Sequence, residues 1–242
     1  MFGKRKIAAL VAEFLGTGIL TLLVLSVQRS TIGVPFFVAA IAGITLIAMV
    51  LAFGDISGAY LNPAITLALW TARRVSTLRA VVLIVAEFLG AWAAYYTYTY
   101  FVNSKLADVG GHFSGHTLAA EAVATGILGL VWAGASFNKW PKTVVAPAIG
   151  LAVMLAMVAA STAGLGLANP ALALGTRAWV WGTYVLGPVI GAVVGVNLYG
   201  LLFAGDNGIS FNLATAKAQV SKPASTAKKP AAKKSTKKKS SK

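Results

Sequence analysis

The sequence predicts an all-α membrane protein with six transmembrane helices, two re-entrant half-helices and inverted three-helix repeats. The chain of 242 residues is 57% hydrophobic and only 11% charged, whereas a soluble domain carries about 25% charged residues. Six apolar stretches are long enough to cross a bilayer, and two shorter ones each begin with Asn-Pro-Ala. Matching landmarks also recur along the chain at a separation of 107 or 108 residues.

Each long apolar stretch supplies the roughly 20 residues that span about 30 Å of hydrocarbon. We expect these spans at about 7–28, 35–54, 79–102, 118–137, 144–163 and 181–204. The first span follows a basic start, but its apolar run extends to about residue 27 and contains Glu13. No small-residue cleavage site follows a short core, so we interpret it as a retained span and not as a cleaved signal peptide.

Two shorter apolar segments, 62–71 and 169–179, interrupt this pattern. About ten residues make roughly 15 Å of helix, which is half the thickness of a bilayer. Asparagine can cap the start of a helix, and proline fits the first helical turn, where its missing N–H is not needed. The motifs that predict these helix starts are Asn62, Pro63 and Ala64, and Asn169, Pro170 and Ala171.

The landmarks indicate an internal repeat. The matching pairs are Glu13 with Glu121, Gly43 with Gly150, and Asn62 with Asn169. We expect one repeat over about 1–105 and the other over about 115–204, with three spans each. After three spans the chain is on the opposite side of the membrane, so the second copy enters from the opposite face. Function is expected near the midplane, where the two copies meet. The positive starts of the two short helices would then face each other around a water-permeable, cation-repelling waist.

The distribution of positive charge predicts the orientation of the membrane-embedded body, 1–204. One side carries the basic residues of 4–6, 73–79 and 139–142, and the other side carries Arg29, Lys105 and Arg177. By the positive-inside rule the first side faces the cytoplasm. We therefore expect a multi-pass protein of the plasma (inner) membrane with both termini in the cytoplasm.

The last segment of the chain, 205–242, has a different character. Ten lysines follow Asp206, and they supply most of the net charge of +15; without them the chain has 11 basic and 6 acidic residues, a net charge of +5. The segment has low complexity and no apolar period, which predicts a Lys-rich disordered cytoplasmic tail. Anionic lipid is an expected partner of such a tail.

Together these features resemble the major intrinsic protein family, the aquaporins and glycerol facilitators. The resemblance covers about 7–204 and rests on AEFLGTGIL, GDISGAYLNPAITLAL, AIGLAV, LANPALALG and VLGPVIGAVVG. It implies an aquaporin-like fold, usually a homotetramer with one pore per subunit, and a passive channel for water and/or small uncharged solutes such as glycerol.

The resemblance also implies roles for single residues. Asn62 and Asn169 would donate side-chain N–H bonds to molecules that permeate in single file. Glu13 and Glu121 would brace the re-entrant loops by accepting backbone N–H bonds. Glu87 lies in a second AEFLG sequence but has no acidic counterpart in the other repeat, and we interpret it as an interfacial or packing residue.

The expected outer constriction departs from the family pattern. An arginine normally follows the second Asn-Pro-Ala, but this position holds Leu172, and Arg177 stands five residues further on. Counting back from the motifs places the other constriction residues at Ala42, Met157 and Gly166. These four side chains predict a wide, apolar selectivity filter without fixed charge. Such a filter would pass neutral solutes larger than water and exclude cations less strictly.

Other functional classes stay open at this point. A channel of altered selectivity would also leak small cations or ammonia, an inverted-repeat secondary transporter would need coupling groups, and a structural membrane protein would have a closed pore. The chain shows no nucleophile–base pair or phosphate loop and has no cysteine, so neither an enzyme nor a cofactor is expected. His112 and His116 lie among glycines, which favours a solvated loop over a helical metal site. Asp55 and Tyr60 stand where the family usually carries histidines.

Overall fold

The computed structural model describes residues 4–204, so the predicted tail, 205–242, lies outside the described residues. The regular elements of the described part are helical. They are α1 Lys4–Gln28, α2 Pro35–Phe53, α3 Pro63–Thr71, α4 Thr77–Val102, α5 Gly115–Asn138, α6 Lys142–Ala160, α7 Pro170–Gly175, a π-helical turn Trp181–Val185, and α8 Leu186–Leu202.

Six of these segments are long and apolar enough to cross a membrane, namely α1, α2, α4, α5, α6, and α8 with its π-helical turn. The predicted six-span architecture is confirmed. The first helix shows how such a span is divided between lipid and protein. Its exposed apolar residues recur every four positions and form one outward stripe: Ile7, Val11, Leu15, Ile19 and Leu23. The opposite face of α1 is buried and carries Glu13.

The two short helices begin as their capping chemistry predicts. The Asn62 Oδ1 accepts a hydrogen bond from the Ala64 N–H at 3.0 Å, and the Asn169 Oδ1 accepts one from the Ala171 N–H at 2.9 Å. Each asparagine is therefore an N-cap, with a proline in the first helical turn behind it. Both helices are too short to span a bilayer.

The second short helix ends earlier than we expected, at Gly175, whereas the apolar pattern extends to residue 179. The reason is local. Arg177 has a left-handed backbone with φ +65°, and the Ala178 N–H donates to the Ala173 carbonyl at 2.9 Å. This is a Schellman helix end, formed here without the usual glycine.

The two halves of the chain meet along a crossing of α2 and α6 at Gly43 and Gly150. A Cβ atom built on Gly43 would lie 2.5 Å from the Gly150 carbonyl oxygen, and one built on Gly150 would lie 2.6 Å from the Gly43 carbonyl oxygen. These residues are repeat mates and their contact is reciprocal, as at a two-fold axis. The two inverted repeats therefore contact each other at these two glycines. A side chain at either position would prevent the backbones of α2 and α6 from approaching so closely.

Packing within and between the repeats positions the short helices. Helix α1 packs on α4 in the first repeat, and α5 packs on α8 in the second. Each short helix also packs on a long helix of the other repeat: α3 packs on α8, and α7 packs on α4. The start of each short helix is thus held inside the bundle by both halves of the chain.

Candidate functional site

The starts of α3 and α7 meet at the centre of the bundle. The Asn62 Nδ2 donates to the Ala168 carbonyl at 2.9 Å, and the Asn169 Nδ2 donates to the Leu61 carbonyl at 2.8 Å. The two bonds are equivalent, and each ties one repeat to the loop of the other. Both asparagines are 5% exposed, so they lie close together at the centre and are nearly enclosed.

Each asparagine amide retains an unused donor. The side-chain NH2 group of asparagine carries two N–H bonds, and one of them is engaged by the opposite carbonyl. The Oδ1 of each side chain is already occupied by the cap of its own helix. The site therefore offers one free amide N–H from each repeat, and a molecule between them would have to accept hydrogen bonds.

The residues immediately before the two asparagines have strained backbones. Leu61 has φ +51° and Ala168 has φ +50°. A residue other than glycine in this left-handed region costs about 1–2 kcal/mol. Such strain persists only when surrounding contacts over-determine the conformation.

Two buried carboxyl groups provide those contacts. Glu13 accepts the backbone N–H of Tyr60 at 3.1 Å and that of Leu61 at 2.8 Å. In the second repeat, Glu121 accepts the N–H of Leu167 at 2.9 Å and that of Ala168 at 2.6 Å. Both glutamates are fully buried. Each carboxyl group thus holds the strained residue that leads into the short helix of its own repeat.

A third carboxyl group, that of Glu87, was missed by the sequence reasoning. Glu87 is fully buried, which fits its interpretation as a packing residue and not the interfacial alternative. The Thr66 hydroxyl, on α3, donates to the Glu87 Oε1 at 2.6 Å, and the Glu87 Oε2 has no hydrogen-bond partner among the described residues. The second AEFLG sequence was the available signal, since it places Glu87 on α4 as Glu13 is placed on α1.

A cavity of about 10 Å³ lies beside the paired asparagines, which is about the least volume that holds one water molecule. Its walls are mostly apolar, and its polar lining comes from the asparagines and two aromatic residues. The lining residues are Leu20, Leu46, Tyr60, Leu61, Asn62, Leu128, Trp132, Val153, Leu167, Ala168, Asn169 and Leu172. The space is large enough for about one water molecule.

The four predicted filter residues lie in the same region but differ in their contacts. Leu172 lines the cavity and is 1% exposed. Ala42 and Met157 are buried in the apolar cluster that also contains Leu172. Gly166 has φ +65°, and its Cα faces the Met157 carbonyl oxygen so closely that a Cβ atom would overlap it. None of the four side chains carries a charge.

Arg177 follows α7 in sequence and Arg29 contacts the end of α7 in space, but both side chains are engaged outside the central cavity. The Arg177 guanidinium lies 5.9 Å from the centre of the Tyr95 ring. The Arg29 side chain donates to the Thr176 carbonyl at 3.1 Å and to the Ala107 carbonyl at 3.2 Å. Neither arginine lines the central cavity, so the wall there has no cationic side chain.

An aromatic pair forms part of the cavity wall. The rings of Tyr60 and Trp132 meet edge to face, with centroids 5.4 Å apart and an interplanar angle of 71°. Trp132 is 4% exposed, and its Nε1–H has no hydrogen-bond partner among the described residues. Sequence reasoning missed Trp132, since one tryptophan in an apolar helix gives no sign that it faces a lumen.

The remaining polar residues considered from the sequence lie away from this centre. Asp55 forms an ion pair with Lys142, at the start of α6. His112 is exposed in a loop, while His116 lies in the first turn of α5, so the expectation of a loop fails for His116. In the part of the chain that the structure describes, no group of three or more His, Asp or Glu side chains could hold a metal ion.

Six spanning helices, two facing half-helices and a water-sized cavity at their junction define a multi-pass membrane channel for water or small solutes. The sequence model described as Major intrinsic protein matches residues 3–199, and the chain belongs to that family. Members of the family are passive channels and not enzymes.

Individual relatives agree with this assignment. Aquaporin Z of Photorhabdus laumondii is 30% identical over 225 residues, which cover 81% of this chain and 97% of that protein. Aquaporin-1 of Botryotinia fuckeliana is 32% identical over 221 residues, covering 82% of this chain but only 47% of that longer protein. The X-ray structure of the aquaglyceroporin from Plasmodium falciparum shares the fold, with a TM-score of 0.66, 22% identity, and coverage of 80% of this chain and 95% of that one.

Proposed function

We propose that this chain passively conducts water and small uncharged solutes, glycerol-like molecules included, through a filter that lacks the usual arginine. The observation that carries the proposal is the central cavity, where the free amide N–H groups of Asn62 and Asn169 meet an otherwise apolar wall. Apolar walls hold a permeating molecule weakly, and the two amides compensate part of its lost hydration. Both conditions favour fast passage.

The same junction opposes cations. Each helix start carries roughly half a positive charge, and the two starts converge on Asn62 and Asn169. A water molecule that accepts hydrogen bonds from both amides points its own hydrogens outward. It cannot then accept a proton from a neighbouring water molecule, so a continuous proton path is interrupted at this point.

The filter residues set the size and polarity of the solutes in this proposal. None of the four predicted filter residues, Leu172, Met157, Ala42 and Gly166, carries a charge. Leu172, Met157 and Ala42 belong to the buried apolar cluster, and Leu172 also lines the central cavity. We infer that neutral solutes larger than water pass by displacing the apolar side chains around the water-sized cavity, and that small cations or ammonia are excluded less strictly than by a filter with an arginine.

The indole of Trp132 adds a second polar contact. Its Nε1–H is unpartnered among the described residues while the ring lines the cavity beside Tyr60. We infer that this N–H donates to the hydroxyl group of a permeating solute. A glycerol-like molecule would then bind to Trp132 and an asparagine amide in the same passage.

Swelling of reconstituted vesicles tests the proposal. Vesicles that contain the full chain should shrink or swell faster than protein-free vesicles when water, glycerol or urea gradients are imposed, as followed by stopped-flow light scattering. The Leu172→Arg variant should reduce glycerol uptake, because a long cationic side chain would narrow the cavity that Leu172 lines. Unchanged glycerol uptake in this variant would remove Leu172 from the constriction.

The same assay separates the alternatives. Flux that saturates or depends on an ion gradient would indicate a secondary transporter, and the absence of any protein-dependent flux would indicate a structural membrane protein. A proton-leak measurement on the same vesicles reports how far charge is excluded.

We further propose a homotetramer in the plasma (inner) membrane, with both termini in the cytoplasm and the tail, 205–242, near anionic lipid. The concentration of basic residues on one side of the body and in the tail supports this orientation. Protease accessibility of the tail in sealed cells against lysed cells would test it, since a cytoplasmic tail is cleaved only after lysis.

A further inference from the structure

Two adjoining cavities lie on the outer surface between α1 and α4 and share no lining residue with the central cavity. One cavity of about 400 Å³ is at the starts of the two helices, and a second of about 400 Å³ continues along them. They share the lining residues Leu10 and Val82. Together they form one continuous feature, here called the α1–α4 groove.

The end of the groove at the helix starts is strongly basic. Arg5, Lys6 and Arg79 line it, and none of its lining residues within 4–204 is acidic. Arg79 is held in place, because its guanidinium donates to the Ser57 carbonyl at 2.7 Å. Ser76, the N-cap of α4, also lines this end and makes no side-chain cap bond, so the first N–H groups of α4 add to the positive field.

The other end of the groove is entirely apolar. Its lining includes Val11, Phe14, Val85 and Leu89. Val11, Val85 and Leu89 are between 46% and 52% exposed, so the groove is open along its length. From Lys4 to Phe14 is ten residues of α1, or about 15 Å of helix, which matches the hydrocarbon depth of one leaflet of a bilayer about 30 Å thick.

We propose that the α1–α4 groove binds one anionic phospholipid. The phosphate lies against Arg5, Lys6 and Arg79, and one acyl chain follows the apolar end as far as Phe14 and Leu89. A free phosphate would leave the apolar end unused, and a neutral lipid would bring no net negative charge to these cations. A second copy of the chain would have to bury those cations, which is costly without acidic partners.

Native mass spectrometry of the purified full chain tests this site with dioleoyl phosphatidylglycerol and dioleoyl phosphatidylcholine as probes. The anionic lipid should bind more tightly than the neutral one. Arg5→Gln should weaken its binding about fivefold, the effect of one basic residue near a membrane surface. Lys4→Gln is the matched control, because Lys4 is a cation of the same helical turn that does not line the groove, and it should leave binding unchanged.

A second variant tests the apolar end without touching the charges. Val85→Trp fills the groove at an exposed position, so it should lower retention of both lipids while the protein folds and assembles as before. Glycerol phosphate, which has the charged headgroup and no acyl chain, should not displace the bound lipid.

Three results would overturn the proposal. The first is equal affinity for the anionic and neutral lipids. The second is an equal effect of Arg5→Gln and Lys4→Gln, which would reduce the groove to general surface charge. The third is a change in oligomer mass in Val85→Trp without loss of lipid, which would make the α1–α4 groove a contact between subunits.

Discussion

Replacement of Glu121 by glutamine probes the link between the buried carboxyl groups and the geometry of the channel centre. The wild-type carboxyl accepts two backbone N–H bonds, from Leu167 at 2.9 Å and from Ala168 at 2.6 Å. A glutamine has one acceptor oxygen, and its NH2 group would face the second N–H donor. One hydrogen bond is lost and one buried donor is left unpaired.

The size of the effect follows from these contacts. A hydrogen bond to a charged group contributes about 1.5–3 kcal/mol, and an unpaired buried donor costs a similar amount. We expect the free energy of unfolding of Glu121→Gln to fall by about 2–3 kcal/mol, after partial relaxation of the site. Ala168 should also leave its strained conformation more readily, which displaces the start of α7 and the Asn169 amide.

Two assays on the same preparation check this prediction. Thermal unfolding in detergent reports stability, and stopped-flow light scattering of vesicles, normalised to the reconstituted protein, reports water permeability. We expect both to decrease. Glu13→Gln is the matched variant in the first repeat, and we expect a similar effect, because Glu13 also accepts two backbone N–H bonds, from Tyr60 and Leu61. If Glu121→Gln retained wild-type stability and permeability, the proposed bracing role of these carboxyl groups would be refuted.

Three further substitutions test other parts of the account. Glu87→Gln should behave like the wild type in unfolding experiments, because its amide oxygen can still accept from the Thr66 hydroxyl, whereas Glu87→Leu should lower stability by about 2–3 kcal/mol. Trp132→Phe should lower the ratio of glycerol to water permeability about two- to tenfold, the effect of one net hydrogen bond. Gly150→Ala should destabilise the fold by about 1–3 kcal/mol through overpacking, whereas Gly115→Ala, at a position with nothing within 4 Å of the added methyl group, should not.

Each of these has a contradicting result. Equal damage by glutamine and leucine at position 87 would show that shape, and not hydrogen bonding, is required there. An unchanged permeability ratio in Trp132→Phe would mean that the indole N–H does not meet the solute. Equal stability of Gly150→Ala and wild type would mean that α2 and α6 can separate at their crossing without loss.

The sequence predicted those features of the fold that depend on local chemistry or on the repeat. The starts of α3 and α7 follow from asparagine capping and proline, which act within three residues. The six spans follow from length and apolarity, and the inverted halves from landmarks 107 or 108 residues apart. The end of α7 could not be predicted, because Arg177 takes a left-handed conformation that sequences usually signal by glycine.

The centre of the channel was harder to predict because it depends on which face of each helix points inward. Glu87 and Trp132 lie on apolar helices whose patterns do not distinguish a lumen from a packed interior. The strained residue Leu61 has no sequence signal at all. The roles assigned to the asparagines, the filter residues and the bracing glutamates stay predictions until permeation is measured.

Osmotic water permeability of vesicles that contain the wild-type chain tests the central claim most directly. We predict that they shrink faster than protein-free vesicles in a stopped-flow osmotic jump, at a rate that does not saturate with the gradient and needs no ion gradient. Vesicles that shrink no faster than the protein-free control would show that the junction of α3 and α7 is closed to water.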